Sequence, residues 1–266
     1  MTRTARSIWR RPGSPISSVT VGGDSSVYAS SLGQGVYRIS PAGEWTCLEE
    51  GWPGGAVVNR LQMSGGVPYA CTSKGLYAYR HAGWEAEDIA VPAYRLREGE
   101  AGRMIAATQY GIWCKTADGW LSWAYPEAVV YDVLYLPQFI VAGREGGLSL
   151  YDRLTGEWTD YRLAASVTGL AVFRGKLIGT GDRGQLIVGN GRGAFDVFGL
   201  GGLFVIGLIP RGRDVYACTD RGLFRLGGAG GRLTLLPVKL GFPVADADWV
   251  GDRMVLAALF GGIRSL

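Results

Sequence analysis

Seven glycines recur along the chain at nearly equal steps: Gly35, Gly75, Gly111, Gly147, Gly184, Gly222 and Gly262. The steps are 40, 36, 36, 37, 38 and 40 residues, and joining the two termini gives a last step of 39. The period therefore closes on itself. Few folds tolerate such a pattern. A fixed repeat of this length, built from short strands, is the signature of a β-propeller, and a period that returns to its start predicts a complete ring. The expected fold is all-β, one seven-bladed propeller occupying residues 1–266 as a single domain.

Each unit reads as four short runs of β-branched, aromatic or small residues separated by polar turns. The central hairpin joins 27–31 to 35–39, 69–72 to 75–79, 105–108 to 111–114, 140–143 to 147–150, 178–181 to 184–187 and 215–219 to 222–226. In each, the turn ends in the repeat glycine, which supplies the positive φ that a tight hairpin needs. Apolar runs at 16–21, 58–63, 130–135, 167–172, 205–209 and 244–250 precede hairpins and give the strand nearest the axis, here strand A; the hairpin strands are B and C. An aromatic residue then opens strand D at Trp45, Trp84, Trp120 and Trp158, weakening to Phe195 and Leu233. No helical periodicity occurs. The seventh unit runs out after 263–266, so Ser7-Ile8-Trp9-Arg10-Arg11 is expected to supply its strand D, with Trp9 in the place of the other tryptophans. Pairing the two chain ends in one blade hides two sheet edges.

Composition agrees with a body of tight turns and buried strands: 43 glycines, 11 prolines and 47% hydrophobic residues leave too much apolar surface for disorder. The net charge is +4, and the 27 Lys and Arg residues are spread over every repeat. A nucleic-acid binder concentrates them in a stripe, so this spread argues against that duty. No run is long enough to span a membrane, and the basic N-terminus lacks the apolar segment of a secretory signal. Cys71 and Cys218 occupy the same place in two different repeats (YACTS and YACTD), so they belong to separate blades and are not expected to pair. Reduced thiols at Cys47, Cys71, Cys114 and Cys218 lead to an expected cytoplasmic location.

The turns Gly35-Val36-Tyr37-Arg38, Gly75-Leu76-Tyr77-Ala78-Tyr79 and Gly222-Leu223-Phe224-Arg225, with the run Gly147-Leu148-Ser149-Leu150-Tyr151-Asp152, resemble bacterial propeller repeats of the two-component-regulator and YVTN/WD40-like type. The resemblance covers essentially the whole chain. It implies the fold and carries little about function, because propellers host enzymes, sensors and assembly platforms alike.

Catalytic constellations are sparse. Ser40-Pro41-Ala42-Gly43-Glu44-Trp45 and Thr116-Ala117-Asp118-Gly119-Trp120 look like eroded Asp-boxes of sialidase-type propellers, but that box is a folding element. Glycoside hydrolysis needs a pair of carboxylates across a sugar pocket, and no pair stands out among 23 scattered acids. The single histidine, His81, falls in a turn before Gly83, which removes most histidine-based schemes. Asp246 and Asp248 form a D-x-D on the last strand A, and with Asn59 and Asp132 on other A strands they offer oxygen ligands for a metal in the axial channel; alternatively they are an ordinary solvated strand edge.

A stronger pattern lies in the turns. In a four-stranded blade the B–C turns and the D-to-A links share one end of the ring. There Lys74, Arg144, Arg183 and Arg221 present cations, and Trp52, Tyr110, Tyr125, Phe242 and Phe260 present aromatic rings. Cations around aromatic anchors suit an acidic protein segment, although Glu145, Asp182 and Asp220 dilute the field. The opposite end carries Arg103, Arg174, Lys176, Arg211, Arg213 and Arg253 without comparable aromatics. The expectation is a non-catalytic protein-binding or assembly module needing no cofactor. The alternative is an enzyme with its site at the axial channel, metal-dependent and lactonase- or lyase-like.

Overall fold

All seven repeat glycines adopt a positive φ, between 73° and 150°. A Cβ at Gly147 would stand 2.0 Å from the Tyr161 carbonyl oxygen, and one at Gly222 would stand 2.0 Å from that of Lys239. Both the backbone conformation and the closeness of strand D exclude a side chain there. The repeat is thus a steric requirement of the hairpin.

The computed structural model describes residues 15–191, 193–229 and 232–266. Blade 1 comprises β1 (Ile16–Val21), β2 (Val27–Ser31), β3 (Gly35–Ile39) and β4 (Trp45–Cys47). Blade 2 comprises β5 (Val58–Ser64), β6 (Val67–Thr72), β7 (Gly75–Arg80) and β8 (Gly83–Ala86), and blade 3 comprises β9 (Ala93–Glu98), β10 (Met104–Thr108), β11 (Gly111–Thr116) and β12 (Gly119–Ala124). Blade 4 is β13 (Val130–Tyr135), β14 (Phe139–Arg144), β15 (Gly147–Asp152) and β16 (Glu157–Arg162). Blade 5 is β17 (Val167–Phe173), β18 (Lys176–Gly181), β19 (Leu186–Gly189) and β20 (Phe195–Phe198). Blade 6 is β21 (Val205–Arg211), β22 (Asp214–Thr219), β23 (Gly222–Ala229) and β24 (Arg232–Leu240), and blade 7 is β25 (Val244–Val250), β26 (Arg253–Ala258) and β27 (Gly262–Ser265). Every sheet is an antiparallel meander; six have four strands and the seventh has three among the described residues. The closing strand expected around Trp9 lies outside the described residues.

The apolar core is divided into seven clusters, one in each interface between neighbouring blades. Ile16, Val19 and Val27 of blade 1 pack with Val255, Ala257 and Ile263 of blade 7, which closes the ring. Fully burying each of these valine and isoleucine side chains contributes about 1.5–3 kcal/mol. Cys71 lies in the interface of blades 2 and 3 and Cys218 in that of blades 6 and 7, both fully buried. Burial pushes the Cys71 thiol up to about 12 and that of Cys218 up as well.

The strand D tryptophans reach the preceding blade. Trp84 Nε1 donates to the Leu48 carbonyl at 3.1 Å, and Trp120 Nε1 donates to Glu87 at 2.8 Å. Glu87 also pairs with Arg80 and Lys115, each at 2.5 Å. Burial disfavours its charge, yet the hydrogen bonds from Lys115, Arg80 and Trp120 outweigh it and hold the carboxyl below its ordinary value.

Candidate functional site: the axial cavity and its rim

Every inner strand carries a register irregularity near its start, where one extra residue stands opposite strand B. The skipped residues are Ser17, Asn59, Tyr94, Tyr131, Thr168, Ile206 and Ala245. A bulge re-aims the side chain it inserts, and here all seven line one cavity of about 390 Å³ on the ring axis. Strand A begins where the link from the previous strand D arrives. The cavity therefore opens at the end of the ring that bears the B–C turns, and Leu259 of the last such turn also lines it.

Beneath the bulged ring lies a charged layer confined to one side. Arg60 pairs with Asp246 at 2.6 Å, and Asp246 is fully buried. Asp246 also accepts from Ser18 Oγ at 2.6 Å and Val19 N at 3.1 Å, and Ser18 Oγ in turn accepts from Leu61 N at 2.9 Å. On the next inner strands Arg97 holds Asp132 in a fork, Nε to Oδ1 at 3.1 Å and a terminal nitrogen to Oδ2 at 2.9 Å. Asp132 further accepts from Leu170 N at 2.9 Å. Burial opposes its ionisation, but Arg97 and Arg95 prevail and hold its pKa below the usual value.

Arg95 is different. It lies 3.6 Å from Asp132 and is only 14% exposed, yet among the described residues no hydrogen bond reaches its side chain. Burial first, then Arg60 and Arg97, push its pKa down to about 9. Three guanidinium groups thus face two carboxylates, one cation in excess. The opposite wall is formed by Gly169 and Gly207, and a Cβ at Gly207 would meet nothing within 4 Å. Tyr94 and Tyr131 stand together above Arg95 with ring centroids 5.4 Å apart.

This layer corrects the metal-ligand set considered from sequence. Asp246 and Asp248 turn toward β1, where Asp248 accepts from Val21 N at 2.8 Å and Thr20 Oγ1 at 3.2 Å. Asn59 Nδ2 donates to the Ala93 carbonyl, and Asp132 is bound by arginines. Among the described residues no three His, Cys, Asp or Glu side chains converge. His81 is 87% exposed in the turn between β7 and β8, at the other end of the ring.

The rim is smaller than the sequence implied. Lys74, Arg183, Arg221 and Tyr110 are exposed, as is Phe260 at 72%. Phe242 is only 8% exposed, sunk in the interface of blades 6 and 7 beneath the Arg264 guanidinium at 4.1 Å. Trp52 is half-buried against Trp84, centroids 5.1 Å apart, because its link folds into the interface of blades 1 and 2. Tyr125 packs edge-on to Trp158 and donates to Asp160 at 2.6 Å; burial and then that bond push its pKa up to about 12. Arg144 turns inward to Ser149 at 2.7 Å and to Asp160 at 3.3 Å. These four serve packing within and between blades. In their place Phe204 is exposed at the same end, in the link before β21.

No protein-family model matches the chain, and no curated protein matches it by sequence. Solved structures match it in fold. The extracellular domain of BT4673 from B. thetaiotaomicron aligns with a TM-score of 0.72 at 14% identity, covering 97% of this chain and 39% of that one. This chain thus spans about two fifths of the length of that domain. Virginiamycin B lyase from Staphylococcus aureus, crystallised with quinupristin as a catalytically inactive histidine-to-alanine variant, aligns with a TM-score of 0.71 at 14% identity over 96% of this chain and 95% of the lyase. YCF48 bound to D1 peptide aligns at 0.70 with 12% identity over 97% of this chain and 94% of that one. The hairpin motifs, the seven blades and these likenesses agree: the chain is a seven-bladed β-propeller, similar in fold to bacterial regulator domains and WD40-type propellers.

Proposed function

We propose that this protein is a binding module without a reaction of its own, and that it engages a protein partner with the end of the ring bearing the B–C turns. The observation that carries this reading is the set of exposed side chains Lys74, Arg183, Arg221, Tyr110, Phe204 and Phe260 on turns and links at the end of the ring where the axial cavity opens. Cations at turn tips contribute little to folding, because exposed charges are screened. At an interface they steer encounter, while aromatic anchors carry affinity. YCF48, a propeller of this size, is seen bound to a peptide, and a similar use here fits the face described. A reducing, cytoplasmic setting is part of the proposal and rests on four cysteines, none of them in a disulfide.

The enzyme alternative has less support. The lyase of similar fold is inactivated by loss of a histidine, whereas the one histidine of this chain lies at the far end from the cavity. The test is charge reversal at the rim. Proteins captured from the native host by the wild-type chain are expected to be released by rising salt and to be lost by the Lys74→Glu, Arg183→Glu, Arg221→Glu triple variant with its melting temperature unchanged. Equal capture by that variant at low salt would move the site elsewhere.

A further inference from the structure

The excess cation in the axial cavity is the feature that the fold does not explain. The Nε of Arg95 is buried without a hydrogen bond, which is costly, since a desolvated donor loses its water partners and gains none. Folding would be better served by an apolar residue at position 95, because the ion pairs of Arg60 with Asp246 and Arg97 with Asp132 do not need it. What Arg95 adds is a planar fork of donors at the floor of a cavity that opens among aromatic and amide side chains. A guanidinium fork matches a carboxylate in shape and charge.

We propose that the axial cavity binds one carboxylate, read by the guanidinium of Arg95. The group enters past Tyr94 and Tyr131 and lies against the glycine wall, where Gly207 leaves the space that a side chain would fill. A volume of about 390 Å³ fits a single acidic side chain, a chain terminus or a small free acid, and ligand sites of this kind start near 300 Å³. Asn59 and Thr168 give the ligand further polar neighbours on the wall. Glu145 and Asp182 act on Tyr131 from the mouth, so their repulsion favours a ligand whose charge is delivered on the Arg95 side. This inference rests on the binding face proposed above for the polypeptide source of the carboxylate. The cavity chemistry stands without it.

Isothermal titration of the full chain with sodium glutarate, and with an acetylated and amidated pentaglutamate peptide, tests the proposal. Removing a charge-assisted hydrogen-bonded fork is expected to weaken binding about tenfold to a hundredfold in Arg95→Gln. Gly207→Leu fills the cavity and alters no charge, so its expected loss of binding does not depend on the electrostatics of the fold. Both variants are first checked for a wild-type circular dichroism spectrum. Peptide binding that exceeds glutarate binding, and falls in both variants, assigns the carboxylate to a polypeptide; equal, Arg95-dependent binding of glutarate assigns it to a free acid. If the rim triple variant binds glutarate normally while Arg95→Gln does not, the carboxylate site stands and the rim reading fails. If wild type binds neither probe, or both cavity variants bind as tightly as wild type, the proposal is overturned.

Discussion

Replacing Asp246 with alanine puts the closure of the ring to a direct test. Its carboxylate is fully buried and joins three blades, pairing with Arg60 of blade 2 at 2.6 Å and accepting from Ser18 and Val19 of blade 1 while anchored on β25 of blade 7. The substitution strands the Arg60 guanidinium, of which only 17% is exposed, and orphans the Val19 amide. Breaking a buried pair from one side costs about 3–5 kcal/mol, and an orphaned buried donor adds about 1–3 kcal/mol. For a chain of this size each kcal/mol lowers the midpoint by roughly 2–4 °C, so a fall on the order of 10 °C or more is expected by calorimetry at neutral pH. Arg60→Met combined with Asp246→Leu removes both charges and is expected to recover much of the loss, because an apolar pair leaves no uncompensated ion. A single Asp246→Ala variant that melts within about 2 °C of wild type, less than 1 kcal/mol by the same conversion, would refute the view that this carboxylate holds the ends of the ring together.

Two further outcomes follow from the burial of titrating groups. Asp132 has a folded pKa below its unfolded value of 3.8, so its stabilisation is complete above that value and is lost as pH falls through the depressed folded pKa. The stability gap between wild type and Asp132→Asn should therefore be widest at neutral pH and close as the pH drops below about 4; a gap that stays constant in acid melting curves would contradict the ion pairing described. Cys71 and Cys218 should resist a maleimide in the native state and react fully in denaturant, with Cys47 and Cys114 reacting at intermediate rates. Fast native labelling of either buried thiol, read by mass spectrometry, would contradict their placement between blades.

The ring and its hairpins were legible because their cause is local. Each repeat glycine answers to one turn and leaves its mark at one position. The inner strands were legible where they are apolar. The one passed over is β9, whose sequence AYRLRE has no hydrophobic run to announce it, and it carries Arg95, Arg97 and Tyr94. Its alternating arginines were the available signal, since residues two apart on a strand share a face. The partner of that face lies about one repeat on, 35 residues away in Asp132, and Asp246 meets Ser18 across 228 residues of chain; the repeat sets such strands side by side but does not say which side chains pair. The bulges that shape the cavity are relations between two strands and leave no mark in either alone. The rim erred differently. A position in a link implies exposure for Phe242 and Trp52, but a link that crosses an interface buries the first of these rings and half-buries the second.

The polar ties between inner strands do not run evenly around the ring. They pass from β25 to β1 through Asp246 and Asp248, from β1 to β5 through Ser18, from β5 to β9 through Asn59 and Gln62, from β9 to β13 through Arg97, and from β13 to β17 through Asp132. From β17 to β21 no side chain makes such a tie among the described residues, and from β21 to β25 the tie is made at the strand ends by Arg211, which donates to the Gly251 carbonyl at 2.7 Å and stacks on Trp249; Gly169 and Gly207 thin the strands between. The seam that joins the chain's two ends is consequently among the best fastened, and compliance is displaced to the arc of blades 5 and 6. Local opening takes the least fastened route, so amide exchange along β17 and β21 sets the pace at which the ring breathes. Arg183, Phe204 and Arg221 ride on that arc. The molecule thus behaves as a stiff collar with one yielding side, and a partner seated on the rim would tighten the side that gives.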